Sequence, residues 1–406
     1  MTSIMHSSEE SKSASPVFSL VFRLLSANWT WGNLTLVLPD GSRQRIEGQQ
    51  PGHSAVLKIN SYRFAPRVLK SGDIGFAEGF MAGEWDSPDL AILLETLVNN
   101  YDHIRRLFDG NWLMKSVNWV GHKLNRNSKA GSRRNIHAHY DLGNVFYDKW
   151  LDTSMTYSSA RFTPQAEGLE QAQQAKYASL ARMMDLQAGH SVLEIGCGWG
   201  GFAEFAAKEI GATVTGITIS QEQYDFARAR IAKAGLGEKV DIRLIDYRDV
   251  NGQFDRVASI EMFEAVGREY WPTYFGKVAS NLKPQGRAGL QIITIQDELF
   301  NEYAARTDFI QKYVFPGGSL PSEQRLQPVI AEAGLTWSAT ERFGTDYADT
   351  LAAWNRRFSA AWPEIVKASN KFDERFKRLW HFYLAYCEAG FRSRRTDVIQ
   401  VALQKG

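Results

Sequence analysis

The sequence predicts an α/β protein built on a doubly wound sheet, preceded by a smaller mixed α+β domain. Strand-like apolar runs alternate with helical segments from residue 180 onward, which is the signature of parallel βαβ units. The first of these runs ends in a glycine-rich turn, "VLEIGCGWGGFAEFAA" (192–207). Upstream, residues 16–121 mix hairpin-like alternation with amphipathic helical spacing.

The elements follow in order. Residues 1–15 are Ser-rich, with no basic stretch joined to a clean apolar core, and read as a flexible leader instead of a secretory signal. "PVFSLVFRLLSANW" places Val17, Phe18, Val21, Leu24 and Leu25 near one helical face, to be buried in the domain or laid on a membrane. "LTLVLPDGSRQRIEG" alternates about Pro39-Asp40-Gly41-Ser42 as a hairpin does, and "SAVLKINSYRFAPRVL" supplies a further strand. "DSPDLAILLETLVNN" opens a helix on an Asp or Ser cap before Leu90, Leu93, Leu94 and Leu97. The stretch 122–135, with Lys123, Arg126, Lys129, Arg133 and Arg134 among Gly and Ser, is either a solvated linker or a patch for phospholipid head groups. Residues 136–406 then form the catalytic domain, with strands at "SVLEIGC", "GATVTGITIS", "KVDIRLIDY", "FDRVASIEMF" and "RAGLQIITIQ".

Composition narrows the function. The 47 basic and 45 acidic residues nearly cancel, so nothing global attracts nucleic acid. Cys197 and Cys387 are too far apart for a disulfide framework or a zinc knuckle, which suits a cytoplasmic protein. No apolar run reaches the length of a membrane span, so membrane contact has to be peripheral. His137 and His139 lack the further ligands that a metal site needs, and no metal is expected.

Gly196, Gly198 and Gly201 satisfy G-x-G-x-x-G, but the second strand ends in Thr and Ser where a dinucleotide site needs an acid for the ribose. Glu194 instead makes E-x-G-x-G-x-G with Gly196, Gly198 and Gly200. This resembles motif I of class I S-adenosylmethionine-dependent methyltransferases, whose Rossmann-like turn accepts the amino-acid end of the cofactor. Taken with "HYDLGNVFYDKWLDTSMTYSSARF", "GITISQEQ", "IEMFEAVG", "FIQKYVFPGG" and "FGTDYADTLAAW", the chain resembles the cyclopropane-fatty-acyl-phospholipid synthase family over residues 130–400. The N-terminal part is similar in kind to the lipid-associated domain of its full-length bacterial members.

The resemblance implies methyl transfer from S-adenosyl-L-methionine to the double bond of an unsaturated acyl chain in a membrane phospholipid. It places the cofactor at Tyr157, Ser158, Glu194, Gly196, Gly198, Gly200, Thr218, Ile219, Gln223, Asp246 and Tyr247. Thr218 and Gln223 equally read as a helix-start pair. It further implies a bicarbonate ion near the reacting methyl, held at positions that are here Ser159, Glu264, Ile293, Tyr347 and the backbone of Ile295. A Ser hydroxyl can still donate to an anion, whereas the Ile293 side chain, standing where His is common, cannot. Gln291, on the same face of the same strand, is the substitute.

Attack by an alkene leaves a carbocation, which aromatic faces and a carboxylate can stabilise in a dry pocket. Phe263, Tyr140, Phe146, Tyr303 and Tyr313 are the aromatic candidates, each otherwise a core residue. Glu388 and Arg392 are pocket-wall residues or an ion pair. A ring or a methyl- or methylene-branched chain are both open as products. So are a methyltransferase for another small hydrophobic substrate and a non-catalytic lipid-binding protein. Localisation at the inner face of the membrane and a homodimer follow by resemblance only.

Overall fold

The computed structural model describes residues 16–108 and 142–406. The leader 1–15, the basic stretch 122–135 and His137, His139 and Tyr140 lie outside the described residues. The chain divides into two compact units, Met1–Lys115 and Ser116–Gly406.

In the first unit, α1 (Pro16–Asn28) buries Phe18 and Leu25. The hairpin forms as the alternation predicts: β1 (Trp31–Val37) pairs antiparallel with β2 (Arg43–Glu47), and Asp40 closes the turn by accepting from Ser42 N at 2.9 Å. β3 (Gln50–Ile59) returns parallel to β1 on its other side. Helix α2 (Phe64–Met81) is broken at Gly72, whose φ of 59° and ψ of −131° interrupt the ladder. β4 (Trp85–Asp86) completes the sheet order β2-β1-β3-β4. Trp85 is fully buried, stacked on Phe76 at 4.1 Å and bonded to the Phe76 carbonyl at 2.9 Å. Asp89 caps α3 (Leu90–Asn99) by accepting from Ile92 N, and α4 (Tyr101–Phe108) follows.

The break in α2 lets two backbone segments meet. A Cβ at Gly75 would lie 2.1 Å from the Arg67 carbonyl oxygen and 2.4 Å from its carbon, neither of which can swing aside. Gly75→Ala is therefore expected to destabilise this unit by about 3 kcal/mol. Urea unfolding checks this, and an unchanged midpoint would refute the close approach.

Among the described residues, the first elements of the second unit are α5 (Asn144–Tyr147) and α6 (Leu169–Met183). The five expected strands are present as β5 (Ser191–Ile195), β6 (Thr213–Thr218), β7 (Val240–Leu244), β8 (Phe254–Ile260) and β9 (Leu282–Ile295), all parallel. Between them lie α7 (Gly201–Phe205), α8 (Gln221–Lys233) and α9 (Trp271–Asn281). Then come α10 (Asp297–Ala304), α11 (Phe309–Tyr313), α12 (Glu323–Glu332), β10 (Leu335–Arg342), α13 (Gly344–Ala368), α14 (Glu374–Arg392) and β11 (Thr396–Lys405).

The described strands of this unit form one sheet, β10-β11-β9-β8-β5-β6-β7, in which β11 runs antiparallel to both of its neighbours. One face packs on α9 and α12 through Phe263, Trp271, Tyr274 and Leu326, the other on α6, α7 and α8 through Leu180, Phe202 and Ala227. The strand order reverses at β5, so the crevice for a ligand lies beyond the carboxyl ends of β5 and β8.

Candidate active site

β5 is buried along Val192–Ile195, and the chain leaves it through Gly196, Gly198 and Gly200 at φ of 82°, 52° and 83°. The turn is pinned from behind, with the N–H groups of Gly196 and Cys197 both donating to the Ile217 carbonyl. A Cβ on Gly198 would meet nothing within 4 Å, so the turn is open on that side. At Gly196 a Cβ would meet Met262 Cγ at 2.6 Å, so this glycine serves the packing of the chain itself and brings the end of β8 against the turn.

Glu194 is 2% exposed; Ala203 N donates to its carboxylate, while Oε2 has no partner in the protein. Burial pushes this group well above the usual carboxylate range, against Lys176 and Arg230. The open turn and the orphaned buried oxygen fit the amino-acid end of S-adenosylmethionine, whose ammonium group would supply the missing donor.

Five more of the expected cofactor residues, Thr218, Ile219, Gln223, Asp246 and Tyr247, lie at or after the ends of the next two strands. Thr218 donates to Gln223 Oε1 at 2.8 Å and accepts from Ser220 N, and Ser220 caps α8, so the helix-start pair is real. Ile219 between them is half-buried. Asp246 binds Arg248 through two bonds of 2.8 and 2.7 Å, and Tyr247 packs its ring 5.5 Å from Tyr274.

The segment before α6 reaches toward β8 and β9. Tyr157 shares a 2.7 Å hydroxyl contact with Tyr383, and Ser158 Oγ accepts from the buried Lys176 ammonium at 2.6 Å. Ser159 meets an anion, but with its backbone: its N–H donates to Glu261 Oε1 at 2.8 Å, while its hydroxyl is turned to the Ala160 carbonyl. Gln291 donates to the same Glu261 oxygen at 2.7 Å and is itself held by Gln400, and Tyr347 donates to Glu261 Oε2 at 2.7 Å. Glu264 accepts from Ile293 N through Oε1, and its Oε2 is buried without a protein partner. The Ile295 N–H donates to the Pro321 carbonyl at 2.9 Å and so is not a free donor for this cluster.

Two carboxyl groups thus share one dry site. Burial raises both, and at Glu261 the Tyr347, Ser159 and Gln291 donors and the Lys176 charge oppose that rise by favouring the ionised form. Burial and the charge of Glu261 push Glu264 up to about 8, so at neutral pH it keeps its proton. Burial lowers Lys176 to about 8, opposed by Glu261, Asp152 and Glu194. A separate bicarbonate does not fit this arrangement. The donors that would bind it end on Glu261 and Glu264, and a further anion would add like charge to a desolvated site.

The aromatic wall differs from the expected one. Phe146 sits in a ring cluster with Phe372 and Trp380, and Phe263 packs between Trp271 and Tyr274; both are core. Tyr303 spends its hydroxyl on Leu320 N and Gln311, and Tyr313 packs on Phe309. The rings grouped around Tyr157 are Trp354 at 5.3 Å, Tyr147 at 5.4 Å, Trp150 at 5.6 Å and Phe315 at 6.5 Å, and Tyr347 stacks on Phe391 at 4.5 Å. Glu388 and Arg392 form an ion pair at 2.9 Å, which Asp349 shares. Among the described residues no group of His, Cys, Asp and Glu could hold a metal ion.

Residues 127–401 match the mycolic acid cyclopropane synthetase family. The chain is 38% identical to tuberculostearic acid methyltransferase UfaA1 of Mycobacterium tuberculosis, covering 94% of this chain and 90% of that protein. It is 37% identical to the cyclopropane-fatty-acyl-phospholipid synthase of Escherichia coli K12, covering 89% and 90%. Among solved structures it is similar to the cyclopropane synthase MmaA2 from Mycobacterium tuberculosis, with a TM-score of 0.63 at 28% identity over 67% of this chain and 98% of that one. Mycolic acid cyclopropane synthase CmaA1, solved with SAH and CTAB, gives a TM-score of 0.62 at 29% identity, with the same coverage.

Proposed function

This chain belongs to the mycolic acid cyclopropane synthetase family and is an S-adenosylmethionine-dependent methyltransferase, and on that premise we propose that it methylates a double bond of unsaturated fatty-acyl chains in membrane phospholipid. The observation that carries the reading is one carboxyl group, that of Glu261, on which three donors converge among aromatic rings beside an open glycine turn. Such a site favours a reaction in which positive charge develops on carbon away from water.

S-adenosylmethionine supplies an electrophilic methyl group on sulfur. In this reading the turn at Gly196–Gly200 and Glu194 fix its amino-acid end, and Thr218, Ile219, Gln223, Asp246 and Tyr247 its nucleoside end. Tyr157 and Ser158, locked by Tyr383 and Lys176, close over the reacting groups and exclude water. Ser159, Gln291 and Tyr347 keep the charge on Glu261 oriented, and Glu264, protonated, keeps a second charge away. Trp354, Phe315 and Tyr157 offer ring faces to the developing cation.

The acyl chain lies in a bilayer, so the reading sets the enzyme peripherally at the inner, cytoplasmic face of the membrane with its first unit against lipid; a homodimer follows from the family resemblance alone. No helix among the described residues is long and apolar enough to cross a membrane, which is in keeping with peripheral attachment.

The test is incubation with methyl-labelled S-adenosylmethionine and vesicles of unsaturated phospholipid, followed by mass spectrometry and proton NMR of the fatty acids. Labelled acyl chains heavier by one methylene unit are expected. Ring protons identify a cyclopropane, and vinylic or methyl-doublet signals a branched chain. Unlabelled lipid would remove the reading.

A further inference from the structure

Glu261 occupies a backbone position that suits glycine, with φ at 49° in the left-handed region that side chains rarely adopt. A strained residue persists only where its surroundings enforce it, and such residues gather at functional sites. Here the surroundings are the donors of the pocket: Ser159 N–H, the Gln291 amide and the Tyr347 hydroxyl all end on this one carboxylate. Ser159 and Tyr347 are two of the positions at which the family resemblance implies a bound bicarbonate, and Gln291 stands in for a third, Ile293.

We propose that Glu261 is a built-in replacement for that anion, and that its carboxylate is the base that takes the proton ending the reaction. The inference rests on the alkene-methylation reading above. A bond forms between the methyl carbon and one alkene carbon as the carbon–sulfur bond breaks, its electron pair staying on sulfur. The other alkene carbon is left cationic. Glu261 then removes a proton from the added methyl group. The C–H electron pair becomes the third ring bond or, where a hydride has first moved to the cationic carbon, the π bond of a methylene branch. No co-reactant enters at any point. Lys176 and the three donors favour the ionised form of Glu261 against the cost of its burial. Neutral Glu264 beside it avoids a second charge.

The experiment compares wild type with Glu261→Gly and Glu261→Gln. Glycine accepts the backbone angle and vacates the anion position; glutamine keeps the volume and loses the base, and circular dichroism verifies that each variant is folded. First, carbon-13 bicarbonate is titrated by NMR into cofactor-free protein: no binding to wild type and binding to Glu261→Gly are expected. Second, product formation is followed in buffer stripped of carbon dioxide. Wild type is expected to be unaffected by added bicarbonate, and Glu261→Gln to be slower by at least about 100-fold without rescue. Glu261→Gly is expected to be equally slow and to recover about tenfold or more with bicarbonate or acetate. Bicarbonate bound to wild type, bicarbonate-dependent wild-type turnover, or wild-type rates in Glu261→Gln would each overturn the proposal. If wild type labels no lipid, the alkene reading fails instead, and the NMR titration still decides whether Glu261 fills the anion position.

Discussion

Gly198→Val is expected to weaken S-adenosylhomocysteine binding by about 100-fold, or about 2.7 kcal/mol, while the protein stays folded. The two effects separate because of where the side chain would go. Outside the two flanking residues no heavy atom lies within 4 Å of a Cβ at this position, so the new side chain starts into open space in the ligand-free chain. Its cost to the fold is the left-handed φ of 52°, worth about 1–2 kcal/mol. Its cost to the ligand is the open face of the turn, which a branched side chain fills. Calorimetric titration and a thermal melt read the two terms independently. Unaltered affinity would mean that the ligand does not approach this face.

Glu264→Gln is expected to make the protein more stable than wild type, by a margin that grows between pH 5 and pH 8. The native state holds a proton on Glu264 up to about pH 8, whereas the unfolded chain sheds it near the ordinary glutamate value. With its folded pKa raised, this group contributes fully at acid pH, and its contribution is lost as pH rises toward 8. Each pH unit in that window is worth about 1.4 kcal/mol for one proton, so the accumulated difference is on the order of a few kcal/mol. An amide carries no proton to lose, and its oxygen can still accept from Ile293 N. Glu194 and Glu261 are also raised by burial and add to the wild-type slope, so the comparison has to be the difference between variant and wild type. Lys176, lowered to about 8, acts above this window and in the opposite sense. A pH-independent difference in melting temperature would mean that Glu264 ionises normally.

Much of the fold follows from local pattern. The five parallel strands, the glycine turn, the Asp89 cap and the Thr218–Gln223 pair rest on alternation, punctuation or contacts within a few residues, which sequence spacing records directly. Glu261 is not legible in the sequence, although it stands three residues before Glu264. Nothing local marks it: its partners lie 30, 86 and 102 residues away and meet only when three elements converge. The available signal was a carboxylate at the carboxyl end of a central strand, where ligands of such sheets bind. Lys176 and Gln400 were hidden for the same reason, one on a helix ahead of the sheet and the other on β11. The resemblance puts Ser159 in the right neighbourhood but not the group it uses there, because a hydroxyl's choice between an anion and an adjacent carbonyl is settled by rotamer, not by residue type.

The position of β11 bears on how the molecule is made. It leaves the ribosome after β10, yet lies between β10 and β9. While the chain is being synthesised, β9 therefore waits with a bare flank and β10 has nothing to pair with. Gln400, which steadies Gln291, arrives on that same late strand. The nascent chain can complete its glycine turn early, but it cannot have a finished catalytic pocket until the strand carrying Gln400 has threaded into its slot.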